Sequence, residues 1–305
     1  MNKTILVIID GCRSDGLEQA KTPNIDYMIE NGAHTLNART VTPSITLPVH
    51  FSIFTSLPPI AHNVLANTGS PNPSSTARSI IDVAKDSGKK TAAFYSWEHL
   101  RNLSAPGSLD HSHFINSGSK ENIDLKVAQA AAGCLNSCCP DFCFIYLEGT
   151  DIAGHRSGFM STEYLDAIET ADTALGIVLN ELERANLSDC YSIILHSDHG
   201  GINHHHTENT PEVMTVPWIA YGPEVRQKHI ITDKVNIIDT VPTLAGLMDI
   251  PAHHTWQGRA ISEIFEPSVF EMIQFGFLHP EFDNRPKMSA PVMTRFSVLQ
   301  RSIMS

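Results

Sequence analysis

The chain has 305 residues, 42% of them hydrophobic, so it can bury a full core, and its composition excludes a disordered chain. A formal net charge of -12 at pH 7 and a pI of about 5.7 exclude a broad basic face for nucleic acid or an anionic membrane. An anionic substrate therefore has to be met by positive charge placed locally.

The first apolar run, ILVII at 5–9, is too short for a signal-peptide core or a membrane span and ends directly in Asp10. It reads as the first strand of a mature cytoplasmic protein. From there short apolar runs alternate with amphipathic stretches. TPNIDYMIENG comes after the first run, KKTAAFY after STARSIIDVAKDSG, DFCFIYLEG after IDLKVAQAAAGCLNS, and YSIILHSDHG after TEYLDAIETADTALGIVLNELERANL. Strands alternating with helices in this way make βαβ units. The expected fold class is α/β, a mostly parallel central sheet sandwiched by helices. In such sheets functional groups gather beyond the carboxyl ends of the strands. Three runs end in polar residues of that kind: Asp10, Asp151, and the pair Asp198 and His199.

Residues 96–122 are the longest irregular stretch and are expected as a loop or small, reduced cap over the sheet edge. From 265 to 305 the pattern is compatible with an edge strand, a lid or an arm onto a neighbouring subunit. A single catalytic domain over 1–305 thus ends in a segment of open role. Four of the six cysteines crowd into CLNSCCPDFC at 134–143. Their spacing matches no zinc pattern and straddles a helix end and a buried strand, which points to small buried thiols.

Carboxylate and imidazole together, without thiolate, suit a borderline divalent ion such as zinc in a site with open coordination positions. DIAGH places Asp151 and His155 four apart, which on a helical turn aims both at one ion. Asp198 and His199 are adjacent and reach one ion only where the strand has already turned into loop. SDHGGINHHHTENTP at 197–211 adds His204, His205 and His206. Of the hydroxyls in TPSITLPVHFSIF, carried by Thr42, Ser44 and Thr46, that of Thr46 stands out. Thr46 opens a helical pattern in which Pro48 fits only a first turn. A hydroxyl there faces the positive end of the helix and free N–H groups; a plain helix N-cap is the alternative. Asn67, in HNVLANTG, is either a turn residue before Gly69 or a hydrogen-bond donor to a ligand.

VIIDG, TPSITLPVH, GTDIAGH and SDHGGINHHHTENTPEVMTVPWIAYGP, in this order, resemble the alkaline phosphatase superfamily, and within it the nucleotide pyrophosphatase/phosphodiesterase branch. The likeness covers roughly the first 260 residues, through VNIIDTVPTLAGLMDIP and WQGRAISEIF, and several motifs in order are far more specific than one. The resemblance implies two divalent metal ions, zinc or alternatively manganese. It puts Asp10, Asp198, His199 and Thr46 on one ion and Asp151, His155 and His206 on the other, leaving out His204 and His205. It assigns Thr46 as nucleophile and Asn67 as donor to a non-bridging phosphate oxygen.

The reaction so implied is hydrolysis of a phosphodiester or pyrophosphate bond in a small phosphorylated substrate, through a phosphothreonine intermediate. No nucleic-acid surface and no membrane are expected, and the oligomeric state is open. The alternatives are a phosphomonoesterase, a phosphonate hydrolase, and a metal-binding scaffold without catalysis. A monoester would call for an added cation, for which Arg13 and Arg156 are the candidates. A sulfatase would need Cys or Ser in a C/S-x-P-x-R context, where this chain has Thr46-Leu-Pro-Val-His50. The short path from His199 to His206 and the reduced cap leave any nucleotide preference open. Tyr95, Trp97 and Phe159 are candidates for stacking on a base, or core residues.

Overall fold

A computed structural model describes residues 2–116 and 122–265. Among these residues the central sheet has eight strands: β1 (Lys3–Ile9), β2 (Ala33–Arg39), β3 (Thr91–Tyr95), β4 (His111–Phe114), β5 (Phe142–Leu147), β6 (Tyr191–His196), β7 (Thr215–Tyr221) and β8 (His229–Ile230). Their order across the sheet is β4-β3-β5-β1-β6-β7-β2-β8. β1 pairs in parallel with both β5 and β6, β3 pairs in parallel with β4 and β5, and β2 with β8. β7 runs against both β6 and β2. The fold is therefore α/β with a mostly parallel sheet, as the alternation of runs predicts.

Helices cover both faces, which is why the central strands read as unbroken apolar runs instead of alternating. Alternate residues of one strand serve opposite layers. Leu6 and Ile8 of β1, with Phe144 and Tyr146 of β5, pack under the helices Thr46–Thr55, Ile80–Asp86 and Thr240–Leu247. Ile5, Val7 and Ile9, with Cys143 and Ile145, pack under Pro23–Asn31, Ile123–Cys138 and Thr162–Arg184. The last of these turns Tyr164, Ile168, Ala171, Leu175, Val178 and Leu182 inward at helical spacing, and the Ser161 hydroxyl caps it by accepting from the Tyr164 N–H. Among the described residues no helix is long and apolar enough to cross a membrane.

Within 96–122, expected as loop or small cap, Glu98–Leu103 is a 3-10 turn and His111–Phe114 is the edge strand β4. All four residues of β4 are exposed, so this strand has no apolar run to announce it. Residues 117–121, and the C-terminal segment after Phe265, lie outside the described residues.

Candidate two-metal active site

β1, β5 and β6 all release their chains at one edge of the sheet, and the polar residues that follow converge there. Asp10 comes straight off β1 and is buried. The next residue, Gly11, has φ +68°, and a Cβ on it would lie 3.0 Å from Asp151 Oδ1, so glycine is required by both conformation and space. Its N–H donates to Asp198 Oδ1 at 3.1 Å. β6 ends at His196, so Asp198 and His199 already lie in loop, and both reach the same point. His199 Nε2 is 3.3 Å from Asp10 Oδ1 and 3.3 Å from Asp198 Oδ2. Asp10, Asp198 and His199 form one buried donor group.

A second group lies beside it. Asp151 and His155 stand one turn apart on the helix Gly149–Ser157, with His155 Nε2 3.4 Å from Asp151 Oδ2. His206 Nε2 completes the group, 3.9 Å from Asp151 Oδ1. His204 and His205 belong to neither group. His205 is exposed and pairs with Glu208 at 2.8 Å. The Gly200–Gly201 step that carries the chain to His206 depends on close approach. Added Cβ atoms would sit 2.0 Å from the Glu212 carbonyl oxygen and 2.3 Å from the Phe159 ring, respectively. The loop is pinned there by Gly200 N–H to the Val213 carbonyl and Gly201 N–H to the Glu212 carbonyl.

Each of the three histidines gives its Nδ1 to a backbone carbonyl: His199 to Gly200 at 2.9 Å, His155 to His204 at 2.7 Å and His206 to Ser44 at 2.7 Å. A carbonyl only accepts, so Nδ1 carries the proton and the Nε2 lone pair faces the carboxylates. Asp10 Oδ1, Asp151 Oδ1 and Asp198 Oδ2 are buried there without a hydrogen-bond partner. Lone pairs and anionic oxygens aimed at one another repel, and a divalent cation removes that conflict. The donors present, oxygen and imidazole with open positions, fit zinc.

The titration behaviour agrees with this crowding. Desolvation, followed by the charges of Asp198 and Asp151, holds the Asp10 carboxyl well above the ordinary carboxylate range. Desolvation also pushes Asp151 up to about 6, against the pull of His206 and His155. For Asp198 burial pulls upward as well, but His199, His50 and the Gly11 N–H together outweigh it and keep this carboxyl low.

Thr46 is the first residue of the helix Thr46–Thr55, with Ile45 as its N-cap, and its Oγ1 lies 3.5 Å from His199 Nε2. Asn67 is exposed, and its Oδ1 accepts from the Leu47 N–H at 2.9 Å. That bond sits at the helix N-terminus and leaves the amide NH₂ as the outward end. Arg13 is committed elsewhere: its guanidinium holds Asp15 through two bonds and the Gly201 carbonyl through a third. Arg156 is exposed on the last turn of Gly149–Ser157. Tyr95 and Phe159 are buried, Phe159 against the glycine step, while Trp97 stacks on His99.

Sequence reasoning missed a second layer of residues. The Tyr146 hydroxyl donates a short bond to Asp10 Oδ2. His50, fully buried, donates Nδ1–H to the Thr46 carbonyl and lies 3.7 Å from Asp198 Oδ2. The Ser197 hydroxyl donates to the His199 carbonyl and accepts from the Cys12 N–H. His204, set aside as a ligand, supplies the carbonyl that orients His155 and bonds through its own Nδ1 to the His155 carbonyl. Apart from the order DHG, none of these contacts has a spacing that a sequence pattern would reveal. Of the four clustered cysteines, expected to be buried, only Cys143 is, whereas Cys134, Cys138 and Cys139 are half-buried; outside the cluster Cys12 is buried and Cys190 half-buried.

The type I phosphodiesterase / nucleotide pyrophosphatase family profile matches residues 4–220. Rat ectonucleotide pyrophosphatase/phosphodiesterase family member 3 is 28% identical over 263 residues, covering 75% of this chain and 29% of the relative. Venom phosphodiesterase 2 of Crotalus adamanteus is 31% identical over 222 residues, covering 64% of this chain and 26% of the relative. The chain thus spans less than a third of the length of these curated relatives. Among solved structures, murine ectonucleotide pyrophosphatase/phosphodiesterase 5, in an inactive form with AMP, superposes with a TM-score of 0.70 at 18% identity, over 83% of this chain and 96% of that one. A 2-O GAG sulfatase superposes with a TM-score of 0.71 at 14% identity, over 88% of this chain and 74% of that one, so the fold extends beyond proteins named as phosphodiesterases. With its ordered strand-end motifs gathered at one sheet edge and the profile matched across most of the described fold, the chain belongs to the type I phosphodiesterase / nucleotide pyrophosphatase family.

Proposed function

We propose that this chain hydrolyses phosphodiester or pyrophosphate bonds in small phosphorylated substrates, with Thr46 as nucleophile. The observation that carries the reading is the position of the Thr46 hydroxyl, 3.5 Å from His199 Nε2 at the opening of a helix and beside two oxygen-and-imidazole donor groups. In this reading Asp10, Asp198 and His199, with the Thr46 hydroxyl, hold one divalent ion, and Asp151, His155 and His206 hold the other. Bound zinc would lower the pKa of the Thr46 hydroxyl and neutralise charge on the phosphate oxygens.

The chain's own groups do the rest. The Thr46 oxygen attacks phosphorus in line with the departing oxygen, and water then cleaves the phosphothreonine ester to regenerate the hydroxyl. The helix N-terminus favours negative charge at this place. The Asn67 NH₂ donates to a non-bridging oxygen. The backbone carbonyls of Gly200, His204 and Ser44 fix the histidine tautomers, so no ring has to turn during the reaction.

A diester is favoured over a monoester because the half-buried Arg13 is held by Asp15 and the Gly201 carbonyl, while the neutral Asn67 amide lies at the helix N-terminus to meet the phosphate. The nucleotide-directed names of the relatives and the AMP held by the murine neighbour support a nucleotide-containing substrate. Sulfate esters are disfavoured because Thr46 stands where that chemistry needs Cys or Ser.

The test is hydrolysis of bis-p-nitrophenyl phosphate against p-nitrophenyl phosphate, with zinc or manganese added, by the wild type and by Thr46→Ala. A diester preference that disappears in Thr46→Ala supports the reading. Turnover that survives this substitution rules out Thr46 as nucleophile, and a monoester preference moves the protein towards the phosphatases.

A further inference from the structure

Away from the active site, the edge strand β4 and the helix Ile123–Cys138 bring three soft donors together. Cys134 and Cys138 are four apart and lie on one face of the helix. His111 opens β4 and pairs in register with Ala92 of β3, which pairs in turn with Cys143 of β5. Residues in register share a face, and Ala92 and Cys143 belong to the layer covered by Ile123–Cys138. The His111 ring therefore rises on the side of the sheet where this helix lies, with only the small Ala92 between it and Cys143. One ligand atom from each of His111, Cys134 and Cys138 can be chosen so that all lie within 4.8 Å of one another. Imidazole with two thiols is a donor set quite unlike the oxygen-rich groups at the other sheet edge.

We propose that His111, Cys134 and Cys138 form a Cys₂His site for one zinc ion, which clips the exposed edge strand β4 to the helix Ile123–Cys138. Zinc takes two thiolates and an imidazole readily and keeps a fourth position for water. Both thiols lose their protons on binding, and the two negative charges balance the ion. The ion would tie down the strand: β4 is exposed along its whole length and, among the described residues, has a neighbouring strand on one side only, and a bond to a helix holds it in register.

The experiment uses the full chain, stripped of metal under reductant and titrated with Co²⁺. The catalytic groups contain no sulfur, so a thiolate-to-cobalt charge-transfer band in the near ultraviolet reports this site alone. The expected result is a band in the wild type that zinc displaces, and its loss in the double variant Cys134→Ser with Cys138→Ser while diester hydrolysis continues. Since the serine variant could fold poorly, His111→Ala, a change on an exposed edge strand, is the second variant. It should keep the band but weaken cobalt binding by roughly 10–100-fold. No band in the wild type, a band that survives the double variant, or unchanged affinity in His111→Ala would overturn the assignment.

Discussion

The imidazole of His206 lies face to face with that of His199, ring centroids 3.7 Å apart and planes inclined by 8°. Each ring belongs to a different donor group, so the stack is the wall the two groups share. Desolvation first, and then the repulsion that a second protonated imidazole at His199 would exert, holds His206 down at about 4, and desolvation likewise lowers His199.

Removing one side of that wall should empty one group while leaving the other in place. His206→Ala is expected to lower kcat/KM on bis-p-nitrophenyl phosphate by at least about 10–100-fold. Excess zinc should restore part of the loss, and metal analysis should show a lower zinc content than in the wild type. Full activity with full zinc content would remove His206 from the site.

Asn67 separates two roles in one side chain. Its Oδ1 accepts from the Leu47 N–H, while its NH₂ faces outward. Asn67→Asp keeps the acceptor and replaces the donor by an anion. Thermal stability should stay within about 0.5 kcal/mol of the wild type, while kcat falls by roughly 10²-fold. Equal losses in stability and activity would instead mark Asn67 as a helix-capping residue.

The crowded carboxylates make an opposite prediction for stability. In the metal-free protein Asp10→Asn relieves the repulsion from Asp198 and Asp151 and keeps an acceptor for the Tyr146 hydroxyl. The metal-free variant should be more stable than the metal-free wild type by about 1 kcal/mol. Adding zinc at a hundredfold excess over its Kd should raise the wild-type Tm by about 5–10 °C, and the variant should rise less. Calorimetry with and without chelator checks both signs.

His62 gives the helix that carries Thr46 a pH dependence. Its Nδ1 accepts from the Val64 N–H at 3.1 Å, so Nε2–H donates to Ser52 Oγ at 2.9 Å, on the helix Thr46–Thr55. A second proton would have to sit on Nδ1, facing another donor. Burial, the larger influence, lowers this histidine from 6.5 to about 4. Because the folded value lies below the unfolded one, the stabilisation is present above pH 6.5 and is lost as pH falls through about 4. By pH 5 the loss should be on the order of 1–2 kcal/mol. Denaturant midpoints for His62→Asn, whose Oδ1 can still accept from Val64, should fall less over that window.

Much of the architecture is legible from residues because β1, β5 and β6 are buried on both faces, and such strands must be continuous apolar runs. β4 has no such signature: HSHF lies at an exposed edge and owes its strand conformation to pairing with β3. The convergence of Asp10, Asp151, Asp198 and His199 follows from their places at strand ends. The choice of His206 over His204 and His205 does not, because it depends on the pairing of Ile202 with His205 and on the Ser44 carbonyl, contacts that leave no periodic trace. Tyr146 and His50 are hidden for a related reason. Each looks like an ordinary core residue until the carboxylate beside it is known. The donor group at His111, Cys134 and Cys138 joins a helical spacing to a strand whose presence the sequence conceals.

The reversed direction of β7 makes the stretch from Ser197 to Met214 a closed excursion, leaving the sheet from β6 and re-entering it at the same edge. A connection between two parallel strands has to cross the whole layer, and its length is constrained by the crossing. This one only has to go out and come back. Residues can be inserted between Thr207 and Thr210, past the Ile202–His205 pairing and His206, without disturbing a strand pair of the sheet. The part of the chain just beyond His206 is therefore the part where substrate reach can be remodelled at little structural cost.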